Sequence, residues 1–279
     1  MGLKEIKLRM QAIKKTASIT QAMYNIALSK LKKSSSLLEN AQHFKQEVFR
    51  MLKQINHSVE THRLIEQGEV EKKLYILVTS DRGLCGSYHN QLFKAFLEEV
   101  NTLSTDDYQL LALGKKAFYF SLKRKLPMVN TEIIYNRDDV LATSFREYAS
   151  LIKDVFVGGF IDEVILFNNH YVNTGTQVVE KKVILPVLFD EKKQVEDTYI
   201  FDVDPVALLD DVIDIYIEGS IFEALADAKL SEHASRMMAM KNATDNAHDI
   251  VERLDTMYHR ARQQEITSEL IDIVNGSNV

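Results

Sequence analysis

From Leu3 onward, apolar residues return every three or four positions without interruption. One column of this heptad holds Leu3, Met10, Ala17, Tyr24, Leu31, Leu38, Lys45, Leu52 and Val59. The other holds Ile6, Ile13, Thr20, Ala27, Ser34, Ala41, Val48 and Ile55. Fourteen of these seventeen residues are apolar, over about eight heptads, which is the signal of a coiled-coil seam rather than of an ordinary amphipathic helix. The same spacing returns at the other end, through Leu230, Ala234, Met237, Met240, Ala243, Ala247, Ile250, Leu254, Met257 and Ala261. It pauses at the polar run Arg262-Gln263-Gln264-Glu265 and resumes at Ile266, Leu270 and Ile273.

Between these ends the period shortens to that of strands. KLYILVT, YQLLALG, VNTEIIY and DEVILFNNHY predict strands, and segments near 88–101, 115–125 and 139–157 predict helices, an alternation that builds a mostly parallel sheet covered by helices. NNHYVNTGTQVVEKKVILP adds a strand, a turn at Asn173-Thr174-Gly175 and a strand back, hence an antiparallel edge. No glycine or proline interrupts Leu3 to Gln67 or Ser220 to Asn275, whereas Pro127, Pro186 and Pro205 all lie in the middle. The expected fold is therefore α/β plus long helices. A coiled-coil helix over 1–67 and another over 206–279 pair antiparallel, with a Rossmann-like α/β domain over 70–205 inserted between them. A parallel homodimer would leave the second stripe without a partner.

Composition narrows the function. At 279 residues with 46% apolar content, the chain can bury a sizeable core without staples. Its one cysteine excludes a disulfide framework, and no helix face carries histidines at i, i+4 for a zinc pair. Neither a signal peptide nor a spanning apolar run is expected. The net charge of −6 is uneven: residues 1–53 carry +8 and the remainder −14. Such a basic arm suits an acidic protein surface or nucleic acid.

The stretch SDRGLCGSYHN, at 80–90, follows a strand and opens a helix. It lacks the Gly-Lys-Ser/Thr of a Walker loop, the third glycine of a dinucleotide fingerprint and the arginine of a cysteine phosphatase loop. Cys85 and His89 stand four residues apart, which leaves a thiolate-imidazolium enzyme as one reading. The plainer reading makes Gly83 and Gly86 a tight structural turn, with Asp81 as a cap and Cys85 as a small buried hydrophobe.

Three stretches carry a resemblance: EIKLRMQAIKKTASITQAM, TSDRGLCG, and SEHASRMMAMKNATDNAHDIVERLDTMYHRARQQEITSELIDIVNG at 231–276. Together with the layout, they make the chain similar over nearly its whole length to the gamma subunit of F-type ATP synthases. The resemblance implies a non-catalytic rotor shaft, with no catalytic, cofactor-binding or metal-ligating residue. Nucleotide would react on a surrounding ring of alpha and beta subunits. Implied partners are that ring, an epsilon subunit and the c ring of a proton- or ion-translocating membrane sector, with no nucleic acid. The implied location is peripheral, on the cytoplasmic face of a bacterial cell membrane.

By the same resemblance, Arg262 and Gln263, in ARQ, match positions that hydrogen-bond a loop of a catalytic beta subunit. Met23, in ITQAM, matches one that faces the acidic lever of that subunit. Tyr216 and Glu218, in YIEGS, match positions at the foot, against the c ring. Asp214-Ile215 stands where many relatives carry basic residues, Ser87 replaces a usual glycine, and NIALSKLKKSSS is poorer in alanine. These departures admit a related rotary ATPase whose shaft drives a different output.

Overall fold

The computed structural model describes residues 2–59, 62–66, 68–137, 145–189 and 202–276. Its elements, in order, are α1 (Leu3–Asn56), β1 (Lys73–Val78), α2 (Tyr88–Val100), β2 (Tyr108–Leu113), α3 (Lys115–Arg124), α4 (Arg146–Val157), β3 (Glu163–Asn173), β4 (Thr176–Leu185) and α5 (Pro205–Gly276). They form two compact units. One comprises 1–29 and 236–279, and the other 30–235, so that α1 and α5 each contribute to both.

The smaller unit is a helix pair. Along α1 its buried positions are Ile6, Ala17, Thr20 and Ala27, all in the expected columns. Along α5 the three-four alternation Met237, Met240, Thr244, Ala247, Val251, Leu254, Tyr258 and Ala261 is buried or half-buried throughout, with Arg236, Met238, Ala239 and Ala243 covered beside it. This corrects the expected stripe at Ile250 and Met257, which are exposed, and at Ala243, which yields the seam to Thr244. The phase is set by a polar layer: the Thr20 and Thr244 hydroxyls lie 2.7 Å apart, and Thr244 also donates to the Met240 carbonyl. With its hydroxyl satisfied, a threonine can occupy a seam position that a hydropathy count assigns to its apolar neighbour. Thr20 meets Thr244, while Lys14, Ala17 and Ser18 border His248 and Val251, so the two helices run antiparallel.

The larger unit is built on a four-stranded sheet of order β2-β1-β3-β4. β1 pairs parallel with β2 and β3, and β4 returns antiparallel on β3. One face carries Tyr75, Leu77, Leu110, Ala112, Ile165 and Phe167 against α2 and α3. There the Tyr75 ring meets Phe96, Tyr108 and Phe167 edge-on at 5.6 to 5.9 Å, contacts of about 0.5 to 1.5 kcal/mol each. The opposite face packs Leu74, Ile76, Val78, Val164 and Leu166 against α1, α4 and α5. Because both faces are covered there, β1, β2 and the 164–167 part of β3 read as near-continuous apolar runs.

Two expected elements come out differently. VNTEIIY forms no strand; it touches β2 through an isolated bridge at Ile134, and Met128 just before it makes another. The Asn130 side chain stands in for a ladder partner there, accepting from the Ala112 N–H at 2.9 Å and donating to the Ala112 carbonyl at 3.2 Å. The first helix stops at Asn56, short of the expected position 67, and the chain after it is tied down by Arg63. That guanidinium donates to the Phe156 carbonyl at 2.8 Å and to Asp162 at 2.8 Å. Of the helix expected over 139–157, the described part is α4, and 138–144 lie outside the described residues. At the other end Pro205 opens α5 with Asp204 as its cap, since the Asp204 carboxylate accepts from the Val206 N–H at 3.3 Å.

Asp162 supplies a pH signature. Burial works to raise its pKa, but hydrogen bonds from the Lys72 and Glu71 N–H groups, together with Arg63, outweigh that and hold the carboxyl below its ordinary value. A carboxyl lowered on folding stabilises above its unfolded pKa, and that contribution is lost as pH falls through the folded value. Denaturant titrations from about pH 4 downward are therefore expected to show a steeper loss of stability in wild type than in Asp162→Asn. Parallel pH profiles would contradict the assignment.

Candidate functional sites: helix surface, loop and buried ionic cluster

The three contact residues expected on the helix pair are accessible. Arg262 and Gln263 are exposed on α5, and Met23 is half-buried on α1. Beyond Ala261 the apolar positions lose cover: Ile266, Leu270 and Ile273 are exposed by 45%, 58% and 67%. The unit holds 27 residues of α1, from Leu3 to Ser29, and 41 of α5, from Arg236 to Gly276, so α5 outruns its partner. Among the described residues of its unit none covers this apolar stripe, and such uncovered stripes are typical of interaction surfaces.

Tyr216 and Glu218, expected at a foot contact, are buried. Tyr216 is 7% exposed, its ring 6.1 Å from Phe49 inside the core beneath the sheet, and burial raises its pKa. Glu218 is 9% exposed and lies 3.6 Å from the Arg146 guanidinium. From Tyr216 to Ala234 α5 is buried almost all round, so both side chains are enclosed although they point to different sides of the helix.

In the loop after β1, Gly86 has φ 59 and Leu84 has φ 61, so the turn places its left-handed positions at 84 and 86 rather than at Gly83. Asp81 does not cap α2, whose first turn has no side-chain cap. Its carboxylate instead accepts from the Lys115 N–H at the start of α3 at 2.9 Å and from the Asn136 N–H at 3.2 Å. Thr79 binds the same corner, donating to the Leu113 carbonyl and accepting from the Ala117 N–H. The Thr79 and Asp81 side chains of TSDRG thus join β1 to the β2–α3 turn, which explains their spacing without any ligand.

His89 does approach Cys85, with Nδ1 3.4 Å from Sγ, and its Nε2 lies 2.8 Å from the Ser80 hydroxyl. The pairing tested on the sequence is therefore real. The thiol, however, is 2% exposed beneath the turn, which leaves a substrate no approach to it.

One constellation has no counterpart in the sequence reading. Asp227 on α5 accepts from the Tyr171 N–H at 2.9 Å and from the Asn168 amide at 3.1 Å, and lies 2.8 Å from His170 Nδ1. Burial pushes its pKa up despite those partners. Glu180 on β4 completes the group 3.7 Å from His170, with Lys182 2.9 Å from Glu180 and Lys45 2.7 Å from Glu223. Its members come from α1, β3, β4 and α5, so no sequence motif announces it. The available signal was polar: Glu223 and Asp227 interrupt an α5 segment buried almost all round.

A family model described as ATP synthase matches residues 2–279. Among solved structures, the chain is similar to a chain of the Tetrahymena thermophila mitochondrial ATP synthase central stalk and c ring. That pair shows 27% identity and a TM-score of 0.60, over 81% of this chain and 99% of that one. It is also similar in fold to a chain of the Euglena gracilis mitochondrial ATP synthase OSCP/F1/c-ring assembly, with 17% identity and a TM-score of 0.69 over 99% of this chain and 93% of that one. A rotor chain of the same Euglena enzyme matches at 17% identity and a TM-score of 0.65, over 95% and 98%. Matched along its whole length and built from two long helices around a mixed sheet, the chain belongs to the ATP synthase family as a gamma subunit.

Proposed function

We propose that this gamma subunit is the central stalk of a rotary F-type ATP synthase, coupling ion-driven rotation of a membrane c ring to nucleotide chemistry on an alpha/beta ring. The observation that carries this reading is the antiparallel helix pair with its uncovered apolar end, a surface suited to turning inside a sleeve of other subunits. It rests also on the similarity to stalk and rotor chains. The subunit itself is non-catalytic and acts by presenting different faces to the ring. Its basic flank, including Lys14, Lys15, Lys32 and Lys33, faces an acidic lever of the beta subunit, to which Met23 is adjacent.

The foot end docks on the c ring and an epsilon subunit, with Tyr216 and Glu218 bracing that surface from within. The complex sits peripherally on the cytoplasmic face of a bacterial membrane; among the described residues no helix is long and apolar enough to cross one.

Mixing the purified chain with alpha and beta subunits is expected to reconstitute ATP turnover that the chain alone lacks. Turnover by the chain alone, or failure to form a complex, would overturn the reading. Cys85→Ala should leave turnover of the assembled complex unchanged, whereas its abolition would favour a thiol enzyme. Arg262→Ala removes a charge-assisted hydrogen bond to the catalytic subunit, worth about 2 kcal/mol, so turnover of the complex should fall roughly thirtyfold. Because Arg262 is exposed, stability of the isolated chain should change by less than about 0.5 kcal/mol. Equal turnover in mutant and wild-type complexes would remove the assigned contact.

A further inference from the structure

His170, Glu180 and Asp227 each direct one ligand-type atom to a common point, all within 4.8 Å of one another. They stand on β3, β4 and α5, which are regular elements rather than loops. The β3–β4 register sets Asn168 opposite Glu180 and His170 opposite Val178, so His170 and Glu180 lie diagonally on one sheet face, the one that meets α5. His170 Nδ1 is 2.8 Å from Asp227 and 3.7 Å from Glu180. In a tetrahedral zinc site with bonds near 2.0 to 2.1 Å, neighbouring ligand atoms are about 3.3 Å apart. The two separations bracket that value.

Two further features are those of a built site. The Asp227 side chain is 3% exposed and is already oriented by the Tyr171 N–H and the Asn168 amide, as outer hydrogen bonds orient metal ligands. Glu180 Oε2 is shielded from solvent and paired with the Lys182 ammonium 2.9 Å away, the contact that a bound cation would replace. His170 and Glu180 are about one-third exposed overall, which leaves an entry path and room for a water ligand.

We propose that a first-row divalent cation, zinc foremost, binds between His170 Nδ1, Asp227 and Glu180, with water as the fourth ligand. A neutral imidazole and two carboxylates form a borderline donor set that suits zinc better than magnesium or calcium. The cation displaces Lys182 from Glu180, and Glu223, 3.8 Å from the Lys182 ammonium, receives it. Occupancy staples β3 and β4 to α5. The inference is independent of the rotary role, because it concerns residues of one compact unit.

The test is titration of the purified full chain at neutral pH with Co2+, followed by visible absorption, and with Zn2+ by calorimetry. One equivalent is expected to give the intense bands of tetrahedral cobalt, displaced by zinc. His170→Ala and Glu180→Gln should each weaken binding tenfold or more, roughly the loss that attends disturbed ligation. Glu180→Gln conserves shape, so a folding defect in His170→Ala would not hide the outcome. Lys182→Ala should tighten binding by removing the competing ammonium. Absence of a saturable equivalent in wild type, or wild-type affinity in both ligand variants, would overturn the site.

Discussion

Gly114→Ala is expected to destabilise the α/β unit by about 3 kcal/mol or more, among the largest effects of any single methyl added to this chain. Gly114 closes β2 with φ +92, a conformation costly for any residue with a Cβ, by about 1 to 3 kcal/mol. The added methyl would also meet the Thr79 carbonyl oxygen at 2.3 Å and its carbon at 2.7 Å. Both are backbone atoms of the neighbouring β1 loop and cannot rotate away. Relieving the clash means parting β1 from the β2–α3 turn, where Thr79 bonds Leu113 and Ala117 and where the Gly114 N–H donates to Ile134. Urea denaturation of the purified chain would measure the loss. A midpoint within experimental error of wild type would show that the corner is softer than its geometry implies.

Asp227→Ala is expected to cost about 3 kcal/mol, the scale at which a buried charged partner is removed. Three donors converge on that carboxylate, from Tyr171, Asn168 and His170, and truncation leaves the first two buried without an acceptor. Asp227→Asn separates hydrogen bonding from charge, because its amide oxygen can still accept the Tyr171 N–H, and should cost less than half as much. If Asn and Ala prove equally damaging, charge rather than hydrogen bonding holds the helix to the sheet there. If neither matters, the cluster is not part of the grip on α5.

Much of this fold was legible in one dimension. Seam columns on α1 follow from a repeat sustained over many turns, too long for chance alignment of apolar residues. Strand β1 and the 164–167 part of β3 are apolar almost throughout because both their faces are covered. Where the reading slipped, local competition was responsible. VNTEIIY carries the composition of a strand, yet Asn130 satisfies Ala112 through its side chain, leaving only an isolated bridge to β2. On α5 the stripe through Ile250 is the more apolar, yet the bond between Thr20 and Thr244 selects the one through Val251. Asp81 reads as a cap for the nearest helix, but the helix it meets begins 34 residues later, at Lys115.

Candidate sites divide along the same line. Arg262 and Gln263 stood out because they interrupt a seam, and an interruption is visible in sequence. Tyr216 is expected at the foot by family resemblance, and its position on the helix buries it against Phe49. The His170–Glu180–Asp227 group could not be found by spacing at all, since its members are brought together by strand register and by the packing of α5.

What the sequence determined by itself was periodicity: two long helical ends, a covered parallel sheet with an antiparallel edge, and motifs specific enough to identify a gamma subunit. Those properties reside in short windows, where backbone geometry alone dictates which side chains share a face. Tertiary structure decided the phase of the α5 seam, the burial of Tyr216 and Glu218, and the meeting of histidine and carboxylates beside the sheet. Each depends on contacts between residues far apart in the chain, and long-range contact is set by packing and hydrogen-bond satisfaction rather than by local pattern.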